Sequence, residues 1–325
     1  EKPLSRILLI VDEAHNLPNT ALEIESDSLS LFILRLAERE AKEHNYKDVV
    51  TFTAQLRAYI EKMATKVEKE TWVSPDFLVE TIKTEIEIEE PPTFFEYLHD
   101  TGNIIKRSYL TQGKYPRSYI HRVGEFLSKW LDTAKDTSFT HILSKYIAKT
   151  GQPSARLEVV ALDPSKITEP VFSSVNCSVT MSGTLEPLEA FIKIARLPET
   201  TITKVVPSPF PKTHILSLVC CGVTTAMKQR TQPMYNKLAK RIAEAIRYSP
   251  NTNIGVFAAS YEVLQRILDT GLENAVEKKF FIEKQGMSSR HNDLLIKQFK
   301  SYAEKGGAVL LGVQGGRASE GADYP

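Results

Sequence analysis

A chain of 325 residues is long enough for two or three domains, and a hydrophobic content of 42% is enough for a well-packed core. The formal net charge of +1 excludes a protein that is basic or acidic throughout, so any surface for nucleic acid must be local. Cys177, Cys220 and Cys221 show no C-x-x-C spacing, which predicts an intracellular protein without disulfides or a cysteine metal site. Neither a signal peptide nor an apolar segment of membrane-spanning length is evident, so we expect no membrane partner.

The first predicted element is a strand within "RILLIVDEAHNLPN", residues 6–19. Its unbroken aliphatic run is typical of a strand that is buried on both faces of a parallel sheet. Ligands of open α/β sheets bind beyond the carboxyl ends of the strands, which is where Asp12, Glu13 and His15 emerge. Adjacent carboxylates repel each other and favour a bound cation, and hydrated Mg²⁺ needs only one or two carboxylates plus phosphate oxygens. A polar strand end that leads into a helix cap is the simpler alternative.

Residues 21–149 carry apolar residues at helical spacing between faces rich in Glu, Lys and Arg, which predicts a packed bundle of amphipathic helices. Within it, "TEIEIEEPP", residues 84–92, alternates like a short strand that stops at the prolines.

One stretch of this helical region, residues 101–124, contains no acidic residue. Single-stranded nucleic acid is held by basic grooves with aromatic side chains on which bases stack. The stretch also contains Tyr119 and Arg122. The alternative interpretation is a solvated loop whose tyrosines pack on helices. The DNA-binding candidates are Lys106, Arg107, Tyr109, Lys114, Tyr115 and Arg117.

After residue 150 the pattern changes to strands, first "ARLEVVALDPS" and "VNCSVTMSGT", and we expect Cys220 and Cys221 to be small apolar residues of a further strand. From residue 232 onward, helices alternate with the strands "NIGVFAAS", "KKFFIE" and "GAVLLGV". The helices are expected at about 234–247, after Ser260 as the N-cap, and in "SRHNDLLIKQFKSYAEK", ended by Gly306. This alternation predicts βαβ units and a parallel sheet.

Polar groups follow three of the predicted strands, in "DEAH" (residues 12–15), "SGTL" (182–185) and "GVQGGRASEGADYP" (312–325). Each motif is weak by itself, because serine- and glycine-rich turns are common after strands. The chain contains neither G-x-x-x-x-G-K-[ST] nor G-x-G-x-x-G, so it has no phosphate-binding loop of either type. The order of the three motifs is far more specific than any one of them.

In this order, "VDEAHN", "SGTL" and "GGRASEGADY" resemble motifs II, III and V of superfamily 2 helicases. Together with "LDPS", "PVF", "SGTLEPL" and "PSPF" they are similar to the iron–sulfur XPD family, named for the xeroderma pigmentosum group D helicase. The resemblance implies an α/β fold with two RecA-like motor domains, both incomplete here, and a mostly helical inserted Arch domain. The implied bounds are 1–20 and 151–205 for the first motor domain, 21–150 for the Arch, and 206–325 for the second motor domain.

The same resemblance implies roles for individual residues. Asp12 would bind Mg²⁺ through water, Glu13 would orient or deprotonate the attacking water, and His15 would link the site to "SGTL". The nucleotide-binding residues would be Ser182, Gly183, Thr184, Glu320, Gly321 and Asp323, beside Asp12. Arg317, Ser319, Ser260 and Tyr261 would contact DNA.

The resemblance implies an ATP-dependent 5′→3′ DNA helicase that acts at single-stranded/double-stranded junctions in DNA repair, including nucleotide excision repair. Its cofactors would be ATP, Mg²⁺ and a 4Fe–4S cluster whose ligands lie outside this segment, and the segment alone is predicted to be inactive. Single-stranded DNA and repair or transcription-complex proteins at the Arch would be its partners, in the cytoplasm or nucleoid of an archaeon or in a eukaryotic nucleus. The alternatives are a non-catalytic DNA- or partner-binding module and another iron–sulfur helicase of the same family.

Overall fold

The computed structural model describes residues 3–148, 151–209, 211–319 and 324, which form two compact units, Glu1–Val206 and Pro207–Pro325. In the first unit, β-strands and α-helices alternate irregularly along the chain. They are β1 (Leu8–Val11), α1 (Leu17–Glu25), β2 (Asp27–Ser30), α2 (Leu31–Glu43), α3 (Lys47–Thr65), β3 (Glu70–Trp72), α4 (Pro75–Thr84), α5 (Pro91–Thr111), α6 (Tyr119–Asp132), β4 (Phe139–Ile147), β5 (Pro153–Ala161), α7 (Ser165–Ser174), β6 (Cys177–Thr180) and α8 (Leu188–Ala195). Among the described residues, no helix is long and apolar enough to cross a membrane.

The second unit is a regular alternation of helices and strands. Its elements are α9 (Gln232–Arg247), β7 (Ile254–Ala258), α10 (Tyr261–Leu268), β8 (Lys279–Ile282), α11 (Ser289–Lys300) and β9 (Ala308–Val313). The strands form a parallel sheet in the order β7-β9-β8. All residues of β9 are buried, and they alternate between a cluster with α9 and α10 and a cluster with α11. The sheet is therefore covered on both faces, and the predicted α/β fold with parallel strands is confirmed.

The helices of the second unit begin where their sequences provide a cap. The Ser260 hydroxyl accepts a hydrogen bond from the Val263 backbone N–H at 3.3 Å, which confirms the predicted N-cap of α10. Helix α11 starts in the same way at Ser288, but it ends at Lys300 rather than at Gly306. The residues between them form turns, and Gly306 has the positive φ of 89° that glycine adopts readily.

The first unit contains a parallel pair, β1 with β6, and a four-stranded antiparallel sheet in the order β2-β5-β4-β3. The helices α2, α3, α5 and α6 pack on this sheet around a core that includes Phe52, Phe95, Phe126 and Trp130. The mostly helical character of the insert is thus confirmed, and the structure adds an antiparallel sheet to the helices. Strand β5 pairs with β2 and β4, and its alternate residues bury one face against the helices.

Three local expectations were wrong. Residues 84–92 form no strand; they are the end of α4, a turn that buries Ile86, and the start of α5 at Pro91, a residue suited to the first turn of a helix. Strand β1 is not buried on both faces, because β6 is its single partner in the described part of the chain and Leu8 and Ile10 remain about 60% exposed. Cys220 and Cys221 are exposed and lie in a segment without regular structure.

Candidate functional site

The parallel pairing of β1 with β6 brings the "DEAH" and "SGTL" motifs together at one edge of the first unit. The Met181 backbone N–H donates to the Val11 carbonyl at 2.9 Å, and the Ala14 N–H donates to the Met181 carbonyl at 3.0 Å. These two hydrogen bonds continue the strand pairing past the ends of the strands. The side chains that follow are therefore held next to one another although about 170 residues separate them in the sequence.

His15 and Ser182 form the shortest side-chain contact of this edge, with 2.7 Å between the imidazole Nδ1 and the hydroxyl Oγ. The Glu13 Oε2 lies 3.4 Å from both of these atoms. The Thr184 backbone N–H donates to the Ser182 hydroxyl at 3.2 Å, so the serine joins both motifs. A change in what Glu13 binds can pass through this network to the "SGTL" turn.

Glu13 itself has an unusual backbone conformation, with φ of 49° and ψ of 40°. A residue other than glycine in this left-handed region costs roughly 1–3 kcal/mol and is frequent at functional sites. The conformation turns the chain sharply after β1 and leaves the Glu13 side chain 65% exposed. A carboxylate that is exposed and yet tied to a histidine–serine pair is suited to act on a bound molecule.

Asp12 is exposed at the end of β1 and accepts the Glu13 backbone N–H through its Oδ1 at 2.8 Å. No group of three or more His, Cys, Asp or Glu side chains among the described residues is placed to hold a metal by itself. Mg²⁺ commonly binds through one or two carboxylates, waters and substrate phosphates, and a single exposed aspartate fits that mode. The cysteines in the same described ranges are all exposed and unpaired, so these residues do not fit a 4Fe–4S cluster.

A groove runs beside this network within the first unit. A Cβ added to Gly183 would meet no atom within 4 Å, so the backbone of the "SGTL" turn is open to a ligand. The groove is lined by Asp12, Thr180–Glu186, Leu188, Phe191, Ile192, Leu197 and Thr201–Val206.

In the second unit, the predicted DNA-binding residues lie at the carboxyl edge of the sheet. The Ser260 hydroxyl is engaged as the N-cap of α10, and the Tyr261 hydroxyl donates to the Glu283 carboxylate at 3.0 Å. Arg317 is about half exposed and lies 3.5 Å from the Asp293 carboxylate. Ser319 closes the turn by donating to the Gly316 carbonyl from its backbone N–H at 3.0 Å and its hydroxyl at 2.8 Å.

Three predicted nucleotide-binding residues of the same loop, Glu320, Gly321 and Asp323, lie outside the described residues. Sequence reasoning also missed Glu283, which is 3% exposed and underlies the loop. The signal that was available is its place as the last residue of the expected strand "KKFFIE", since polar residues of α/β sheets collect at the carboxyl ends of strands.

The basic stretch of the first unit spans the end of α5, a loop and the start of α6. Tyr115 is 83% exposed at the loop, whereas the partly buried Tyr109 packs on the core and lies 3.4 Å from the His44 Nε2. The Arg117 guanidinium stacks 4.6 Å from the Tyr119 ring centroid. Arg122 is taken by an ion pair with Asp27 and is not free to bind another anion.

The remaining basic candidates of this stretch differ in exposure. Arg107 and Lys114 are exposed and Lys106 is half-buried, and the Lys114 ammonium lies 5.8 Å from the Tyr109 ring centroid. The exposed basic residues therefore lie at the end of α5 and in the loop that follows it. The sequence alone did not distinguish them from the half-buried ones.

Glu40 of α2 holds the base of this loop and was not predicted. Its Oε2 accepts the Ser118 hydroxyl at 2.9 Å and the backbone N–H groups of Tyr119 and Ile120, each at 2.8 Å. Ser118 in turn accepts the His121 N–H at 3.2 Å, so the first turn of α6 is fully capped. Nothing in the sequence links a glutamate to a helix start about 80 residues away.

Most of the chain matches two family models of known proteins. Residues 37–240 match the family model of the helical and beta-bridge domain, and residues 242–325 match the helicase C-terminal domain. The chain is 23% identical to the ATP-dependent DNA helicase CHL1 of Candida glabrata, over 98% of this chain and 41% of that helicase. It is 22% identical to the general transcription and DNA repair factor IIH helicase subunit XPD/RAD3 of Saccharomyces cerevisiae, over 98% of this chain and 49% of that subunit.

The chain thus spans less than half the length of these curated relatives. Among solved structures, S. tokodaii Xpd4 shares its fold with a TM-score of 0.56 at 19% identity, over 95% of this chain and 57% of the other. The first family model alone covers well over half of the chain. The chain therefore belongs to the XPD/Rad3/CHL1 family of DEAH helicases, through its helical and beta-bridge domain and its helicase C-terminal domain.

Proposed function

We propose that this chain supplies part of the ATP site and part of the DNA track of an ATP-dependent DNA helicase. The observation that carries the proposal is the network of Glu13, His15 and Ser182, which joins an exposed carboxylate in a left-handed conformation to the neighbouring strand end. A polar strand end or a helix cap requires neither the positive φ nor a contact between two distant motifs.

Asp12 is the residue that would hold Mg²⁺ through water, and the ion would supply charge neutralisation for the nucleotide phosphates. Glu13 orients the attacking water and accepts its proton, a role worth about 10²–10⁴-fold in rate. His15 and Ser182 then act as the link by which occupancy of the site changes the "SGTL" turn. Gly183 and Thr184 of that turn are proposed to contact the nucleotide, which the open space at Gly183 supports.

The proposed DNA track of the second unit consists of Ser260, Tyr261, Arg317 and Ser319. Arg317 supports this assignment best, because it is half exposed and its contact with Asp293 is long at 3.5 Å. A phosphate can therefore replace that carboxylate at little cost. Glu320, Gly321 and Asp323, beyond the described residues, are proposed to face the nucleotide.

The basic stretch of the first unit is proposed as a second contact with single-stranded DNA. Exposed Tyr115 offers a face for base stacking, and Arg117 lies directly beside it in the chain. Arg107 and Lys114 are exposed and add positive charge to the same stretch. Lys106 and Tyr109 lie nearer the core and are proposed as further contacts of this stretch with DNA.

The finer features of the function are proposals of the same kind. They are 5′→3′ translocation, action at single-stranded/double-stranded junctions in repair, an intracellular location, and docking of repair or transcription proteins on the Arch at residues 21–150. The XPD/RAD3 relative, named as a subunit of a transcription and repair factor, supports the last of these. The motor domains are proposed at 1–20 with 151–205 and at 206–325. No step is assigned to an iron–sulfur cluster, because the described cysteines do not fit one.

Strand displacement by the complete protein tests the proposal. With ATP and Mg²⁺, the wild type should displace a strand from a duplex with a 5′ single-stranded tail, and Glu13→Gln should not. Displacement by both proteins would contradict the role of Glu13. Tight DNA binding without ATP-dependent displacement by the wild type would favour the non-catalytic module, and displacement from a 3′ tail alone would refute the polarity.

A further inference from the structure

Glu283 is a buried carboxylate beneath the glycine-rich loop that follows β9. It lies directly after β8, at the carboxyl edge of the sheet in the second unit, and is 3% exposed. Within the described ranges it has no ion-pair partner, and its hydrogen-bond donors are the Tyr261 hydroxyl at 3.0 Å and the Val313 backbone N–H at 3.3 Å. A carboxylate is seldom buried so deeply unless it holds other groups in place.

The two donors come from different parts of the sheet edge. Tyr261 is the first residue of α10, next to the N-cap Ser260, and Val313 is the last residue of β9. One carboxylate therefore fastens the start of α10, which follows β7, to the last residue of β9. The Gln314 N–H reinforces this by donating to the Ala258 carbonyl at 2.8 Å.

Two glycines, Gly312 of β9 and Gly316 of the loop, lie against the same carboxylate. A Cβ on Gly312 would lie 2.8 Å from the Glu283 Oε2, and a Cβ on Gly316 would lie 2.8 Å from the Oε1, both closer than Cβ atoms approach oxygen. Gly315 has a positive φ of 71°, whereas Gly316 does not have one. Gly316 thus leaves room for the Glu283 carboxylate and for the Val313 side chain, whose Cγ2 would lie 2.9 Å from such a Cβ, and it does not serve a positive φ.

We propose that Glu283 is a positioning residue that holds the loop of residues 314–319 against the start of α10, so that Arg317 and Ser260–Tyr261 present one fixed surface to single-stranded DNA. This inference rests on the proposed function for its DNA partner. It adds a residue that contacts neither DNA nor nucleotide and explains why two glycines flank the end of β9.

The variants separate charge, hydrogen bonding and volume. Glu283→Ala removes the acceptor for both donors, whereas Glu283→Gln keeps the volume but offers one acceptor oxygen, so that its amide N–H₂ faces the remaining donor. Tyr261→Phe removes one of the two donors; because Tyr261 is also a proposed DNA contact, this variant is used for the exchange measurement alone. Glu277→Ala is the matched control, because Glu277 is an exposed acid shortly before β8 with no described partner.

The first measurement is hydrogen–deuterium exchange of the whole chain, followed at the amide of Val313, which donates to Glu283, and at those of residues 314–319. We expect exchange to rise about tenfold in Glu283→Ala, since a hydrogen bond to a charged group is lost, and less in Glu283→Gln and Tyr261→Phe. The second measurement is the affinity for a fluorescent oligothymidine, which we expect to fall by about the same factor. Glu277→Ala should match the wild type in both.

The outcomes separate this inference from the proposed function. Unchanged exchange in Glu283→Ala would overturn the inference whatever the DNA affinity is, and faster exchange with unchanged affinity would overturn the link to DNA. If the wild type binds no single-stranded DNA, the proposed function fails, and the exchange measurement still decides whether Glu283 holds the loop. If Glu283→Ala does not fold, Glu283→Gln decides both questions by the same criteria, and Tyr261→Phe decides the exchange question alone.

Discussion

The contact between Glu40 and the start of α6 allows a sharp prediction, because three donors converge on one oxygen. Glu40 is 5% exposed, and its Oε2 accepts from Ser118, Tyr119 and Ile120. Glu40→Ala removes the acceptor for all three. Glu40→Gln can place its carbonyl oxygen at the same point and keep the three bonds, losing the charge alone.

The magnitudes follow from what each variant leaves unpaired. A buried donor without an acceptor costs about 1–3 kcal/mol, and the Ser118 hydroxyl can rotate away. Glu40→Ala should therefore lose about 2–6 kcal/mol, from the backbone N–H groups of Tyr119 and Ile120. Glu40→Gln should lose about 0.5–1 kcal/mol, the worth of a negative charge at a helix N-terminus. For a unit of this size, the melting temperature falls by about 2–4 °C per kcal/mol, which gives roughly 4–24 °C for alanine and roughly 1–4 °C for glutamine.

The assay is thermal unfolding of the chain followed by circular dichroism, with Glu43→Ala as the control. Glu43 lies on the same helix, is exposed, and makes an ion pair with Arg39 of the kind that contributes less than about 1 kcal/mol. Equal losses for Glu40→Ala and Glu40→Gln, or a loss in Glu40→Ala no larger than in the control, would refute the convergent cap.

Two further predictions concern the first unit. Arg117→Ala should weaken binding of single-stranded DNA and reduce the slope of log affinity against log salt concentration by about 0.7. Tyr115→Ala should weaken binding with little change in slope, because stacking releases few counterions. Identical salt titrations of the two variants would mean that both residues have a purely structural role. Burial lowers the pKa of His141, which packs edge-to-face against Trp130, and that of His121, where the Glu125 carboxylate 3.0 Å from Nδ1 opposes part of the shift. Since the unfolded state binds their protons below pH ~6.5, stability should fall as the pH drops below that value, and His141→Gln should flatten the decline in melts between pH 7.5 and 5.

Sequence patterns predicted the helices and strands of the second unit well, because these elements are determined by residues that are close together in the sequence. Ser260 lies before a helical repeat and caps it, and the run "GAVLLGV" is apolar because both faces of β9 are covered. The strand end at Asp12 and Glu13 was predicted for the same reason, since a change from aliphatic to acidic residues marks the carboxyl end of a strand. The structure adds the contact between His15 and Ser182, which supports the proposed roles of these motifs without testing them.

What the sequence did not predict depends on distant partners. The strand after residue 150 was expected, but its pairing with β2 and β4 could not be, because either sheet satisfies its alternation. In the sequence, Arg122 is one more basic residue that could bind DNA. In the structure its guanidinium binds Asp27, 95 residues earlier in the chain. Glu40 and Glu283 are acids within charged or strand-like stretches, and only tertiary structure shows that each is buried under a loop.

The central claim is that Glu13 performs hydrolysis at an ATP site to which this chain contributes, and one measurement tests it most directly. The complete protein carrying Glu13→Gln is compared with the wild type for binding of a fluorescent ATP analogue and for DNA-stimulated ATP hydrolysis. The account predicts that binding stays within a few-fold while hydrolysis falls about 10²–10⁴-fold, the range for loss of a general base. Hydrolysis at the wild-type rate would contradict it and would make Glu13 an ordinary carboxylate at the end of a strand.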